Sequence, residues 1–466
     1  MRLTIEEIIH ATKGELLTGK REQWITGVST DSRNINADEL FVPLKGDRFD
    51  GHDYIENAIH AGAAASLLKQ SEASVVSIAE KNGSALIRVD DPLQALHDLA
   101  NYYLSKMDAI VIGVTGSTGK TTTKEMIYSI LSRKYRVLKN EGNYNNHIGV
   151  PLTAFQVEPE HEVVIFEMGM SGFHEIEKLC RIVKPKIGVI TNIGTSHIEK
   201  LGSRENIFKA KMEITKYFDQ REHILIANGD DEFLGKLKSQ NTPYQKYFVG
   251  FHKDCDFQAI SIDEIGEKGI QFKASLQGQD YDFVLQVPGK HNIYNALCAI
   301  AIGYVLGVEP DRISEGLQAF QGNNMRLNII STRSNIKVLD DSYNASPDSM
   351  KAAIAVFATI ASNRKIAVLG DMLEMGSYAQ KGHYDIGKEI ARHPIDFLVT
   401  VGEQAAYIGK GAVENGFYQS HIFACANNQE AIDVLQEILC EQDGVLVKGS
   451  RGMKMEEIVE YIQERR

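Results

Sequence analysis

An uncharged apolar run, Ile110-Val-Ile-Gly-Val, passes directly into Gly113-Val-Thr-Gly-Ser-Thr-Gly-Lys-Thr-Thr and then into a stretch with Ile127, Ile130 and Leu131 on one helical face. This succession constrains the fold more than any other feature, because it reads as a buried strand, a tight glycine turn and a helix. Gly116 and Gly119 let the backbone turn closely, so that Ser117, Thr118 and the helix start present N–H groups to phosphate oxygens. Lys120 would reach the β- and γ-phosphates, the Thr121 hydroxyl would ligate magnesium, and Thr122 completes the nucleotide-binding run. The strict G-x-x-x-x-G-K-[ST] spacing is not met: Val114 stands five before Gly119, and Gly113 one residue further back. The loop is therefore a variant. A glycine turn that merely caps an ordinary helix is the plain alternative, but strand, helix and the Gly-Lys-Thr triplet together point to ATP.

The 466 residues exceed what one hydrophobic core sustains, so two or three domains are expected. We divide the chain into a small N-terminal α/β domain (1–105), a central P-loop domain with a mainly parallel sheet (106–322) and a C-terminal Rossmann-like, doubly wound domain (323–466). The last division rests on strands alternating with helical patterns at Lys337-Val-Leu-Asp-Asp, Lys365-Ile-Ala-Val-Leu-Gly, Phe397-Leu-Val-Thr-Val-Gly and Val445-Leu-Val-Lys-Gly. Central strands at Val163-Val-Ile-Phe, Ile187-Gly-Val-Ile and Ile224-Leu-Ile-Ala each end in polar or glycine residues, and functional side chains belong at those ends.

The net charge of −12 excludes broad nucleic-acid binding, which needs clustered basic charge. The longest uncharged apolar stretch, Ala296–Val308, is too short to span a bilayer, and the N-terminus lacks an export signal. Five cysteines without C-x-x-C spacing suggest neither disulfides nor zinc. A cytoplasmic, monomeric enzyme acting on small molecules is expected.

A nucleotide loop alone serves a kinase, a motor or a ligase. Three further positions narrow the choice, although each has a bland reading. Glu167, at the end of its strand, could hold magnesium or be a solvated carboxylate. His197, in Thr191-Asn-Ile-Gly-Thr-Ser-His, could be a ligand or a packed histidine. Lys211, in Phe208-Lys-Ala-Lys-Met-Glu-Ile, could be functional or part of a solvated face.

Taken together and in this order, Gly116-Ser-Thr-Gly-Lys-Thr-Thr, Glu167, His197 and the Ala-Lys pair at 210 and 211 resemble the Mur ligases. Within that family the chain looks like the branch that handles D-alanyl-D-alanine. The residues that carry this are Gly142-Asn-Tyr-Asn-Asn-His-Ile-Gly-Val-Pro-Leu-Thr, Asp340-Asp-Ser-Tyr-Asn-Ala-Ser-Pro-Asp-Ser-Met and Leu369-Gly-Asp-Met-Leu-Glu-Met-Gly. Ser29-Thr-Asp-Ser-Arg and Phe49-Asp-Gly-His resemble the family's UDP-sugar-binding domain. One departure is Ser346, where the pattern has a second asparagine before the proline.

The resemblance implies that the carboxylate of UDP-N-acetylmuramoyl-tripeptide is phosphorylated by ATP and that the amine of D-alanyl-D-alanine then displaces phosphate. It implies catalytic roles for Lys120, Glu167, His197 and Lys211, with magnesium at Thr121, Glu167 and His197. Lys211 stands where related ligases carry a carbamylated lysine. ATP contacts are implied for Asn295, Arg326 and Asp341, although Asn295 could be a helix cap and Arg326 a domain-junction ion pair. Substrate contacts are expected from Ser32 and Arg33, with Asp50 and His52 behind them, and from Asn145, Asn146, Tyr343 and Asn344. The rivals are a relative that adds the third amino acid, whose Asp-Asn-Pro-Arg motif is missing here, a folylpolyglutamate synthase, and a kinase or regulatory ATPase.

Overall fold

The computed structural model describes residues 1–46, 49–70 and 73–465. Near the N-terminus, β1 (Leu3–Thr4) pairs with β3 (Trp24–Ile25) as a short ribbon. A five-stranded sheet follows, built from β2 (Glu15–Thr18), β4 (Gly27–Ser29), β5 (Glu39–Phe41), β6 (Ala65–Leu68) and β7 (Ala85–Arg88) in the order β2-β7-β6-β5-β4. The helix Pro92–Leu104 closes this part. Asp91 caps it by accepting hydrogen bonds from the Leu93 and Gln94 N–H groups, and Pro92 occupies the first turn, where its missing donor costs nothing.

The next sheet has nine strands. They are β8 (Ile110–Thr115), β9 (Val137–Lys139), β10 (Val163–Glu167), β11 (Ile187–Ile190), β12 (Ile224–Asn228), β13 (Gln245–Gly250), β14 (Phe257–Glu264), β15 (Ile270–Leu276) and β16 (Gln279–Leu285). Their order is β16-β15-β14-β13-β12-β11-β8-β10-β9, parallel except for the β14-β15-β16 meander. Strand β8 lies between β10 and β11, so the chain builds outward on one side and then switches to the other. Their registers, Glu167 beside Val114 and Ile190 beside Thr115, bring three carboxyl-terminal loops to one point. One face of this sheet shares a core with the N-terminal part, where Val164 and Phe166 join Leu99, Tyr103 and Phe155. The other face packs Ile112 and Val114 against the helices Lys120–Leu131 and His291–Val305.

The third sheet contains β17 (Asn328–Ser331), β18 (Lys337–Asp340), β19 (Lys365–Gly370), β20 (Phe397–Val401), β21 (Ile422–Cys425) and β22 (Gly444–Lys448), in the order β17-β18-β22-β19-β20-β21. Only β17 runs antiparallel, and apolar cores fill both faces. The α/β class, the mainly parallel central sheet and the doubly wound C-terminal sheet match the expectation from sequence. Ser346, the departure from the family pattern, caps the helix Pro347–Thr359 through a reciprocal bond with Ser349. A serine there does the capping work of an asparagine.

Two C-terminal helices, Ala379–Ile390 and Ala406–Glu414, approach at backbone distance through glycines. A Cβ on Gly387 would lie 2.1 Å from the Ile408 carbonyl, and one on Gly411 would lie 2.2 Å from the Tyr384 carbonyl. Gly387→Ala should therefore destabilise the C-terminal domain by about 1–3 kcal/mol, the usual cost of overpacking. A lowered midpoint in thermal unfolding, with nucleotide binding retained by the central domain, is the expected result.

Candidate active site

A cleft of about 980 Å³ opens where the carboxyl ends of the central sheet face the C-terminal sheet, and residues of both line it. Its floor is the glycine loop. Gly119 begins the helix Lys120–Leu131 at φ +78°, a left-handed conformation that a side chain disfavours. A Cβ there would also lie 2.4 Å from Oδ1 of Asn295, and one on Gly116 would sit 1.8 Å from Oγ1 of Thr191. Both glycines are thus required by close neighbours as well as by the turn.

Those neighbours hold the loop in shape. The Thr191 hydroxyl donates to the Thr118 carbonyl at 2.6 Å, and Asn192 Nδ2 donates to the Thr118 hydroxyl at 2.9 Å. The Thr118 N–H donates in turn to Asn192 Oδ1 at 3.1 Å, and the Gly194 N–H to the Ser117 hydroxyl at 2.9 Å. Asn295 lies one turn inside its helix rather than at the cap, with Oδ1 accepting from the Thr123 hydroxyl at 3.2 Å. It supports the loop from beneath.

Glu167 is buried and fully engaged. Oε2 accepts from the Thr121 hydroxyl at 2.7 Å, Oε1 accepts from Asn145 Nδ2 at 2.8 Å, and its N–H donates to Asn140 Oδ1 at 2.7 Å. The second asparagine differs: Asn146 Oδ1 accepts from the Ile148 and Gly149 N–H groups, so its side chain is taken up by the local turn.

The cations are the electrostatic peculiarity of the cleft. Lys120 donates to the Gly116 carbonyl at 3.0 Å. Burial pulls its ammonium below the ordinary lysine range, with Glu167 working against that effect and Arg326 adding to it. Lys211 is 2% exposed; burial, with Lys120 repelling, lowers it well below that range. Among the described residues no carboxylate pairs with Lys211. His197 faces both lysines; burial lowers its pKa, while Glu374 opposes the shift. The Glu374 carboxylate lies 2.6 Å from His197 Nδ1, off the direction of a hydrogen bond, so Nδ1 has no hydrogen-bond partner among the described residues.

The C-terminal wall carries Arg326, Asp341, Tyr343 and Asn344. The Arg326 guanidinium lies 4.2 Å from the Tyr343 ring centre, a cation–π contact rather than a junction ion pair. Asp341 is ion-paired with the buried Lys448, which also donates to the Asn344 carbonyl at 2.9 Å.

Three segments match domains described in one family. Residues 24–104 match the Mur ligase family catalytic domain, residues 114–303 the Mur ligase middle domain, and residues 325–451 the Mur ligase glutamate ligase domain. The UDP-N-acetylmuramoyl-tripeptide–D-alanyl-D-alanine ligase of Bacillus subtilis (strain 168) is 41% identical over 466 residues, covering 100% of this chain and 99% of that protein. The Mur ligase family is where this chain belongs. The Escherichia coli (strain K12) ligase of the same name is 31% identical over 99% of this chain and 98% of its own. A crystal structure of MurF from Acinetobacter baumannii superposes with a TM-score of 0.90 at 30% identity, covering 100% of this chain and 99% of that one. MurF ligase from Thermotoga maritima in complex with ADP gives 0.82 at 26% identity, covering 94% and 97%.

In this Mur ligase the fold brings Gly119, Lys120, Thr121, Thr122, Glu167, His197, Asn145, Asn146, Asn295, Arg326, Asp341, Tyr343 and Asn344 to the cleft wall. Buried Lys211 sits behind it, within the field of His197 and Lys120. Ser32 and Arg33 do not line this cleft. Arg33 forks onto Asp31 in the N-terminal sheet region, with Nε–Oδ1 at 2.9 Å and Nη2–Oδ2 at 2.8 Å, and holds that carboxyl down at about 2. Sequence reasoning overlooked Thr191 and Asn192 as loop clamps, Lys448 as the partner of Asp341, and Glu374 as the neighbour of His197. Thr191, Asn192 and Glu374 stood inside quoted motifs, but nothing local disclosed their partners.

Among the described residues no three His, Cys, Asp or Glu side chains gather to hold a metal. Magnesium needs no such cage, since it takes one or two carboxylates, phosphate oxygens and water. The Thr121 hydroxyl beside the Glu167 carboxylate fits that donor set. Gly119→Ala should reduce ATP affinity by at least about tenfold, because the cost of the left-handed turn and the displaced Asn295 together exceed 1.4 kcal/mol. Equilibrium binding of a fluorescent ATP analogue checks this.

Proposed function

We propose that this chain joins D-alanyl-D-alanine to UDP-N-acetylmuramoyl-tripeptide at the expense of ATP, giving the UDP-muramoyl-pentapeptide, ADP and phosphate. The observation that carries the reading is a cleft in which a phosphate loop, an engaged carboxylate and the buried lysines Lys120 and Lys211 on one domain face an ordered polar wall on another. Full-length similarity to ligases of that name supports it. A kinase needs no second domain to present an amine, and a regulatory ATPase needs no wall opposite the phosphate loop.

In the first step a carboxylate oxygen of the tripeptide attacks the γ-phosphorus, and the bond from that phosphorus to the β–γ bridging oxygen breaks, releasing ADP. Two anions must approach, so charge neutralisation matters more than a strong base. Lys120 and the N–H groups at the start of the helix Lys120–Leu131 supply it along the phosphates. Thr121 and Glu167 would hold one magnesium ion there, and Glu167 with His197 a second nearer the substrate carboxylate. When bound, such ions would add Lewis-acid neutralisation of the phosphate and carboxylate oxygens. In the second step the dipeptide amine attacks the acyl carbon, loses a proton and expels phosphate. Arg326, Asn295 and Asp341 serve the nucleotide, while Tyr343, Asn344 and Asn145 serve the reacting peptides.

Ser32 and Arg33, outside the cleft, are proposed for the UDP-sugar end of a substrate long enough to reach both places. Domain boundaries near 105 and 322 suit this division of labour. One chain supplies the whole cleft, which supports a monomer as the working unit. ATP and a nucleotide-linked precursor suit the cytoplasm, and among the described residues no helix is long and apolar enough to cross a membrane.

Lys211 is proposed to carry a carbamate, a reading its burial beside Lys120 supports. Burial and the neighbouring Lys120 disfavour its ammonium; the amine would add to carbon dioxide with loss of a proton to solvent, and the resulting anion would sit favourably beside the Lys120 cation. Labelled bicarbonate should give a carbamate carbon resonance in the wild type that Lys211→Ala lacks, and formate should restore part of the variant's activity. A wild-type spectrum without that resonance removes the carbamate.

Phosphate release with tripeptide and ATP, with and without D-alanyl-D-alanine, tests the function. Release that depends on both substrates, with a product heavier by the dipeptide minus water, is expected. Release indifferent to the dipeptide would refute it.

A further inference from the structure

The segment Leu369-Gly-Asp-Met-Leu-Glu-Met-Gly has no part in the chemistry above, yet its backbone is pinned residue by residue. The Asp371 N–H donates to the Val401 carbonyl at 3.1 Å, the Met372 N–H to Nε2 of His383 at 2.9 Å, and the Leu373 N–H to the Ser450 hydroxyl at 2.9 Å. His383 is fully buried, and its Nδ1 donates to the Ala379 carbonyl at 2.7 Å, so Nε2 is left as the acceptor. The Asp371 carboxylate accepts from the Ala405 N–H at 2.6 Å. These bonds fix the direction in which the chain delivers the next residue, Glu374.

Glu374 adopts φ +59°, and His197, facing it from the central domain, adopts φ +61°. Non-glycine residues take this conformation at a cost that the surroundings must impose, and such strain concentrates at functional sites. Here two strained residues from different domains meet, Oε2 of Glu374 lying 2.6 Å from Nδ1 of His197. The same loop of the central domain is held twice more from the C-terminal side. Asp348 Oδ2 accepts from the Thr195 N–H at 3.2 Å, and the Glu374 carbonyl accepts from the Glu199 N–H at 3.4 Å.

We infer that Glu374 is a positioning residue that reaches across the domain boundary to hold the His197 ring with Nδ1 protonated, so that Nε2 is the atom offered to the cleft. This rests on the ligase reading. A carboxylate behind a histidine fixes tautomer and ring orientation. Alignment of catalytic hydrogen bonds commonly completes only around the substrates, which accommodates the present off-axis contact. Because donor and acceptor sit on different domains, the ring is held only while the domains are together. Docking of the C-terminal domain, which carries the wall for the amine, is thereby tied to the phosphate end of the site.

The test uses the full-length protein with Glu374→Ala and Glu374→Gln. Glu374→Ala should lower kcat by about 10–100-fold, with KM for ATP unchanged within about twofold and the melting temperature preserved. Glu374→Gln, whose carbonyl still accepts from Nδ1, should lose less. Nitrogen resonances of the His197 ring, assigned with His197→Gln, should report an Nδ1-protonated ring in the wild type and an Nε2-protonated ring in Glu374→Ala. An unchanged kcat in Glu374→Ala, an unchanged tautomer, or a loss matched by raised KM values and lowered melting temperature would overturn the inference. If the wild type made no pentapeptide, the ligase reading would fall instead, and the ring tautomer would still decide the contact.

Discussion

Everything at this site depends on β8 running between β10 and β11 in parallel register. Three loops that are far apart in sequence, after Thr115, Glu167 and Ile190, leave the sheet at one level. Each then finishes what another begins. The first is held in shape from the third, whose Thr191 and Asn192 bind the Thr118 carbonyl and hydroxyl. The second supplies the carboxylate that receives the Thr121 hydroxyl. A one-residue slip between β8 and β10 would move Glu167 to the other face of the sheet, and the constellation would be lost.

The charge balance of the cleft follows from this crowding. The chain as a whole is acidic at −12, whereas Lys120, Lys211 and Arg326 converge here with Glu167 as the buried counter-charge beside them. An uncompensated buried cation is costly, and burial with Lys120 nearby disfavours the Lys211 ammonium. Triphosphate and carboxylate remove the cost by bringing the missing negative charge. Lys124 shows the contrast on the same helix. Also fully buried, it donates to the Asn140 carbonyl at 2.6 Å and lies 3.1 Å from Glu125. It is satisfied from within and stabilises structure, while its neighbours wait for substrate.

How much of this could be read in advance depended on whether a feature is local. The glycine loop, the buried strands and the alternation of strand and helix in the C-terminal part are local patterns, and they read correctly. The meander of β14, β15 and β16 was legible too. Phe257-Gln-Ala-Ile-Ser-Ile-Asp-Glu carries a half-buried strand pattern that passed unremarked. For Asn295 a helix cap stood as the alternative to an ATP contact, because sequence marks a helix start only loosely; the residue lies within the helix, beneath Gly119. Arg326 could be expected in the cleft, but its stacking on Tyr343 could not, since an antiparallel strand pair separates the two in sequence. Lys448 and Glu374 escaped for the same reason, their partners being supplied by register and domain packing.

That last class of contact shows why a reaction of this type suits a chain built in three parts. An acyl phosphate survives only where water is kept out, yet its formation and its consumption need substrates that enter from different sides. A single rigid pocket would have to be both open and closed. Dividing the groups between domains resolves the conflict: the phosphate loop and Glu167 stay on the central sheet, and the wall with Arg326, Asp341, Tyr343 and Asn344 belongs to the C-terminal domain. Contacts that bridge the two include polar ones: Asp348 to Thr195, Glu374 to His197, the Glu199 N–H to the Glu374 carbonyl, and both Lys337 and the Ala361 N–H to Glu267. An apolar interface would hold two domains together strongly, whereas charged pairs near water contribute little net stability to the junction they span.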